Sequence, residues 1–430
     1  MCASLAACGG SSASSTASTA ASTADSSAAS SSTEAAATSS DPVSGGEINI
    51  PITDDPTTLQ GWMVRNTNEM TVAPAIYETL MAYDNAGTPQ PYLLESFEGD
   101  PEALTYTMVV KDGITFQDGT PLDADAVKWN LDYYKENGVL TGSYFSYVDN
   151  VEVVDEKTVV VHMSSWDALF DYGLARTCFI CSPTAVEELG PDGFNETPVG
   201  TGPFKVTKWV HGEGIYTEAY ADYWQGKPYL DSVNFKIYAS TATQQAAMEV
   251  GDLDIMYLTG DAVTADSMEA SGYTITNSSI PDSGHTLCFN SKADGPLTDV
   301  RVRQAIALAV DTESINAALL SNGKYGTSST QWAVSTSGEY TDIEGYGYDV
   351  EKAKSLLTDA GYADGFDLTI NFQVGDFAKS VCQIIQAELG EIGINVTLNQ
   401  IEVANYANYL GEWDGILYHP MGLSNGQYSQ

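Results

Sequence analysis

Between Asn195 and Leu258 apolar and polar positions alternate in short runs broken by glycine, a pattern that predicts strands following one another as a meander. Gly200, Gly202 and Pro203 set a tight turn, after which Phe204, Val206 and Trp209 open a strand. Gly212 and Gly214 interrupt it, Ile215 to Tyr220 restarts it, and Ser232 to Tyr238 sets Val233, Phe235 and Ile237 against polar neighbours. The period then changes. Thr241 opens a helical run through Ala246, Ala247 and Val250, Gly251 is placed to cap it in the left-handed conformation, and Asp254 to Leu258 is expected as a short buried strand.

The same reading extends both ways. Glu47 to Ile52 alternates as a first strand, and the loop DDPTTLQGWMVRNTNEM, which holds Trp62 and Arg65, precedes a helix expected to carry Ile76, Leu80 and Met81. Thr105 to Val110 alternates, Asp123 caps a helix with Ala124, Val127, Leu131 and Tyr134 on one face, and Val151 to Val154 with Thr158 to Met163 reads as a hairpin around Asp155 to Lys157. After His285, helices start at the capping residues Asp299, Asp311 and Asp349, and Gly323 and Gly361 stop the second and third of them. Val381 to Leu389 is a further helix, and Phe366 to Phe372, Ile394 to Leu398 and Gly415 to Tyr418 are strands. Alternating strands and helices make this half α/β and the whole chain mixed α/β.

The blocks PVGTGPFKVTKWVHGEG, AYADYWQGKPYLDSVNFKIY and QQAAMEVGDLDIMYL resemble the signature of the extracytoplasmic solute-binding proteins of the peptide and nickel family, family 5, which serve ABC importers. Leu104 to Leu131, Leu287 to Asp311 and Tyr348 to Tyr362 resemble that family's other recurrent segments, in its order. The resemblance spans nearly all of residues 46–430 and implies a periplasmic-binding-protein-like type II fold, two lobes joined by a hinge plus an inserted domain. It divides the chain into lobe I at 46–82 and 195–284, the inserted domain at 83–194, and lobe II at 285–430. It further implies capture of a peptide-like or other polar organic solute by lobe closure, delivery to the transmembrane subunits of an ABC permease, no catalysis and no cofactor. In relatives the second lobe continues and then re-enters the first, so the chain is expected to be truncated at both ends.

Candidates for the cleft are Trp62, Arg65, Arg176, Trp332, Trp413, Tyr418 and His419, aromatic groups to exclude water and a few polar anchors. Each aromatic candidate reads equally as packing. Dipeptide-binding relatives hold the peptide amino group with an aspartate shortly after the strand matching Trp413 to Tyr418, where this chain has His419, Pro420, Met421, Gly422 and Leu423. They hold the carboxylate with an arginine after the strand matching Phe366 to Phe372, where this chain has Gln373, Val374, Gly375 and Asp376. A dipeptide zwitterion would leave both charges poorly paired in a dry cleft, so a different ligand is expected, first a longer peptide held through its backbone. The second reading is an anionic metal chelate held by Arg65 or Arg176 with His419 as a metal ligand.

Charge and the N-terminus add the setting. Asp and Glu outnumber Lys and Arg by 58 to 17, a formal charge of -41, which argues against nucleic acid and anionic lipid surfaces as partners. LAAC at Leu5 to Cys8 has the small residues and cysteine of a bacterial lipoprotein cleavage box, and the resemblance implies that Cys8 is lipidated. A positive start and a longer apolar core are missing before it, so the chain is expected to begin inside its own signal. Residues 9–45 are almost wholly Ser, Ala, Thr and Gly, a flexible tether spanning on the order of 30 to 35 Å. The place expected from this is outside the cytoplasm, anchored by lipid alone.

Catalytic and metal patterns are sparse. Cys178 and Cys181 form a lone CFIC pair with no histidine nearby, and with Cys288 and Cys382 they are expected as free, buried thiols. Ser321 and Lys324 in SNGK have nucleophile spacing without the companion motifs of a serine hydrolase, the one enzyme class the chain leaves to consider. Arg301 and Arg303 read as scaffold on a helix face, and the histidines at 162, 211, 285 and 419 are scattered.

Overall fold

The computed structural model describes residues 42–84, 87–139, 144–258, 260–277, 283–292, 294–328, 345–402, 405–406 and 413–422. Cys8, nearly all of the 9–45 tether and Trp332 lie outside the described residues. The folded unit runs from Ser44 to Gln430.

It opens with β1 (Glu47–Ile52), a single 3₁₀ turn at Gly61–Met63 and α1 (Thr67–Ile76). Asn66 and Glu69 form a capping box at the start of α1. The helix stops at Ile76, short of the expected Leu80 and Met81. The Ile76 carbonyl, which would accept from residue 80 in a longer helix, instead takes the Gly202 N–H at 2.9 Å and the Gln117 amide at 3.2 Å. The chain therefore turns extended at Tyr77, and Met81 begins β2 (Met81–Tyr83), paired with β3 (Pro89–Pro91).

The next layer is an antiparallel sheet of β4 (Leu94–Asp100), β5 (Thr105–Val110), β6 (Val148–Val153) and β7 (Thr158–Met163) in the order β4-β5-β7-β6, with α2 (Ala124–Asn137) between β5 and β6 in sequence. The Asp123 side chain accepts from Ala126 N, and Asp155 accepts from Lys157 N and Thr158 N in the β6–β7 turn. Two helices, α3 (Phe170–Arg176) and α4 (Pro183–Glu196), return the chain, the second kinked at Gly190, whose φ is 67°. Beyond them β8 (Phe204–Val210), β9 (Gly214–Ala219) and β10 (Ser232–Ile237) form a second sheet with β1, in the order β1-β10-β9-β8. One buried cluster runs from Ile52 and Ile76 through Phe116, Leu131 and Phe145 to Phe235, so segment 83–194 shares its core with the β1–β10 sheet.

After α5 (Thr241–Val250), Gly251 adopts φ 79° and caps the helix. Residues Asp254 to Leu258 are neither a strand nor buried, contrary to expectation; Tyr257 is 54% exposed. One rung with β1 does form, Asp254 N donating to the Asn49 carbonyl at 3.1 Å. The next residue of β1 facing that way is Pro51, which has no N–H to continue a parallel ladder.

The remainder builds a third sheet. In chain order come α6 (Ala262–Ala270), β11 (Ser283–Phe289), α7 (Val300–Ala309), α8 (Thr312–Leu319), α9 (Val350–Asp359), β12 (Phe366–Gln373), α10 (Asp376–Glu391), β13 (Ile394–Ile401) and β14 (Ile416–Gly422). The sheet order is β11-β14-β12-β13, with β12 parallel to both neighbours and β11 antiparallel to β14. Its own core joins Val302 and Ile306 of α7 and Leu357 of α9 to Ile370 and Phe372 of β12 and Ile385 and Leu389 of α10. Helix α10 is longer than the expected Val381 to Leu389 because Phe377 and Ala378 pack partly against the same core. Asp299, Asp311 and Asp349 cap α7, α8 and α9 as expected.

Candidate functional site

In open parallel sheets a ligand crevice lies beyond the carboxyl ends of the strands. On the first lobe that edge is the end of β1, where Thr53 and Asp54 are exposed and Asp55 is held by Trp209 Nε1 at 2.9 Å, Gly212 N at 2.7 Å and His211 Nδ1 at 3.3 Å. From beside β1 the segment carrying Ile255 and Tyr257 leads to Gly260. On the second lobe the edge is the end of β12 and the first turn of α10, with the end of β14 and the start of β11 alongside. Gly260 stands against the second of these edges: a Cβ on it would lie 2.6 Å from the Phe377 ring.

A row of rings starts from that contact. Phe377 stands 5.4 Å from the His285 imidazole, and His285 lies almost parallel to the Tyr418 ring, 11° and 5.0 Å between centroids. The β11–β14 register makes this possible by pairing Leu287 with Tyr418, so that His285 and Tyr418 point to the same face of the sheet. On the other face, His419 stacks on Tyr406 at 5.8 Å, and its Nδ1 shares a 2.7 Å hydrogen bond with the Tyr406 hydroxyl. Desolvation lowers the pKa of His285, with His419 nearby adding to the effect, and burial lowers that of His419. Burial pushes the Tyr406 phenol up to about 12 and raises Tyr418 further. The cluster is thus uncharged at neutral pH.

The sequence candidates are dispersed. Tyr418 and His419 lie in the cluster, Tyr418 buried as the backing of His285. Trp413 precedes β14 at its other end, packed with Ile401, Tyr406 and Leu417, its carbonyl accepting from Asn290 at 2.5 Å. Trp62 is 4% exposed, stacked on the core ring of Phe194 at 5.3 Å and edge-on to the half-buried Tyr133 at 4.9 Å. Arg65 is exposed beside Thr57, in a loop fixed by the buried Glu69 carboxylate, which accepts from Thr57, Arg65 and Asn66. Arg176 ends α3 near Tyr83, whose phenol its charge pulls down against the larger upward push of burial. Neither arginine makes an ion pair among the described residues.

Sequence reasoning missed His285, Phe377, Tyr406, Tyr257 and Gly260. The extended apolar spacing of α10 at Phe377, Val381, Ile385 and Leu389 was an available signal for one of them.

A family model described as bacterial extracellular solute-binding proteins, family 5, matches residues 88–428. The chain belongs to this family. Among relatives, the glutathione-binding protein GsiB of Salmonella paratyphi A is 27% identical over 357 residues, covering 82% of this chain and 69% of the relative. Among solved structures, the ABC transporter substrate-binding protein CtaP of Listeria monocytogenes superposes with a TM-score of 0.74 at 23% identity, over 89% of this chain and 80% of that one. AgaA of A. tumefaciens R10, solved with agropinic acid, superposes at 0.70 and 29% identity, over 89% and 78%. This solute-binding protein therefore has the type II architecture, and its function is extracellular solute binding.

Several features of the solute-binding protein find their place within it. The SNGK residues do not face each other as nucleophile and base: the Ser321 hydroxyl donates to Asp266 at 2.5 Å, and the Lys324 ammonium pairs with Asp266 at 3.1 Å and with Glu269. Arg301 is paired to Asp299, and Arg303 donates to the Leu297 carbonyl at 2.7 Å, both bracing α7. Cys178, Cys181 and Cys382 are free and buried, and Cys288 is free but only half-buried. Among the described residues no group of three or more His, Cys, Asp or Glu is arranged to hold a metal, and no helix is long and apolar enough to cross a membrane.

Proposed function

We propose that this solute-binding protein is a lipid-anchored receptor that closes its two lobes on a longer peptide, held mainly through its backbone, and hands it to the permease of an ABC importer. The observation that carries the ligand reading is the make-up of the lobe II strand ends. Uncharged rings, His285, Phe377, Tyr418 and His419, stand where a pair of opposite fixed charges would be needed for the two ends of a short zwitterion. Backbone hydrogen bonds and water-excluding rings suit a ligand that brings no free charge to these strand ends. Trp62, Arg65, Arg176, Trp332 and Trp413 remain proposed contacts of the same cleft. The second reading, an anionic metal chelate, rests on the half-exposed imidazole of His419 with Arg65 or Arg176 as the cation.

The anchor in this proposal is Cys8, with residues 9–45 as the leash. Cys8→Ala is expected to move the protein from the membrane fraction to the soluble one. For the ligand, a thermal-shift screen sets di-, tri- and longer peptides against glutathione, and nickel with histidine. A ligand at a hundredfold over its Kd adds about 2.7 kcal/mol of stability. Longer peptides are expected to give the shift. A shift only with nickel and histidine, lost in His419→Ala, moves the assignment to the chelate.

A further inference from the structure

We propose that the row Phe377–His285–Tyr418 is a recognition platform for a flat, uncharged end of the solute, an aromatic side chain next to an amide, and that it disfavours a free carboxylate at neutral pH. This rests on the reading above that the crevice between the lobes takes the solute.

The geometry gives the platform its shape. Tyr418 is 4% exposed and covers one side of His285, which itself is exposed, so the stacked pair presents one imidazole surface outward. Phe377 extends that surface to Gly260, three residues beyond the 54% exposed Tyr257. A planar group entering here meets the His285 and Phe377 rings, and offset or edge-to-face ring contacts add to the area they bury.

Charge decides what kind of planar group. The His285 imidazole is the ionisable group of the platform nearest pH 7, and desolvation, with His419 on the other face of the sheet adding to it, favours its neutral form. Behind them the Tyr418 phenol and the Cys382 thiol are both shifted upward by burial, and Tyr406 on the opposite face is shifted upward too. Asp376 and Lys379 flank Phe377 on α10 with opposite charges, and Asp261 next to Gly260 is occupied in capping α6. None of the cation–ring contacts among the described residues involves the platform. A carboxylate seated on it would leave water over rings that no cation touches, Lys379 making no cation–ring contact with them, whereas an amide loses little. Acidification reverses this, because an imidazolium at His285 supplies the missing partner.

The test uses the full chain and one pentapeptide ending in phenylalanine, prepared as the free acid and as the C-terminal amide. Calorimetric titration at pH 7.5 is expected to show the amide binding about tenfold or more tightly than the acid, a gap that narrows by pH 5 as the imidazoles charge. His285→Gln is expected to weaken the amide and to abolish the gain of the acid on acidification. Equal or tighter binding of the acid at neutral pH overturns the inference, as does a pH response that survives His285→Gln. Failure of both peptides alongside binding of glutathione or another solute also overturns it and leaves the receptor reading intact. Failure of every solute overturns both.

Discussion

Gly260, just before α6, and Phe377, in the first turn of α10, touch: the glycine, at φ 67°, leaves no space for a Cβ, which would stand 2.6 Å from ring carbons and 3.1 Å from the phenylalanine Cβ. A side chain at position 260 must therefore both adopt a left-handed backbone and push Phe377 away from His285. Gly260→Ala is expected to lose about 1–3 kcal/mol in urea denaturation and to weaken solute binding with it. Unchanged stability would mean that the contact is not formed in solution.

Glu78 tests how segment 83–194 is joined to the β1–β10 sheet. Its carboxylate is 6% exposed and accepts from the Tyr223 hydroxyl at 2.5 Å, Trp224 Nε1 at 2.8 Å and the Tyr92 hydroxyl at 2.9 Å. Removing the acceptor strands three partly buried donors. Glu78→Leu is expected to cost about 2–4 kcal/mol, read as a lower denaturation midpoint, with Glu78→Gln intermediate because its amide carbonyl keeps part of the set. A leucine variant as stable as the parent would contradict this account of the join.

Glu388 gives a pH dependence with a definite sign. Burial lifts its carboxyl to about 7, partly opposed by the Asp311 N–H at 3.3 Å and reinforced by the charges of Asp311 and Glu391. A carboxyl whose folded pKa exceeds its unfolded value contributes stability that is complete below about pH 4.5 and is lost as pH rises through about 7. Because the group is partly exposed, solvent keeps the effect modest. Glu388→Gln should flatten the decline between pH 4.5 and 7 in melting curves and leave the protein at least as stable at pH 8. An unchanged slope would show that Glu388 titrates normally.

Local signals were legible in the sequence, and long-range ones were not. Asp123, Asp299, Asp311 and Asp349 bond to backbone two or three residues ahead, so the start of each helix is written within a few positions. The end of α1 depends on Gly202 and Gln117 claiming the Ile76 carbonyl, which no window around Ile76 contains. Pro51 was visible, but its effect on Asp254 to Leu258 follows only once β1 is known to lie beside that segment. The site divides the same way. His419 was found as a polar residue after a strand, whereas His285 joins it only through the pairing of β11 with β14. Trp62 stood out by residue type, and the fold surrounds it with Phe194 and Tyr133.

The central claim is capture between two lobes that close on the solute, beside the contact of Gly260 with Phe377. Small-angle X-ray scattering of the full chain, with and without a saturating peptide from the thermal-shift screen, tests it most directly. Closure predicts a smaller radius of gyration in the bound state, and a weaker or absent change in Gly260→Ala. A peptide that binds and stabilises the protein while the scattering curve stays the same would contradict the claim and put the solute on one lobe alone.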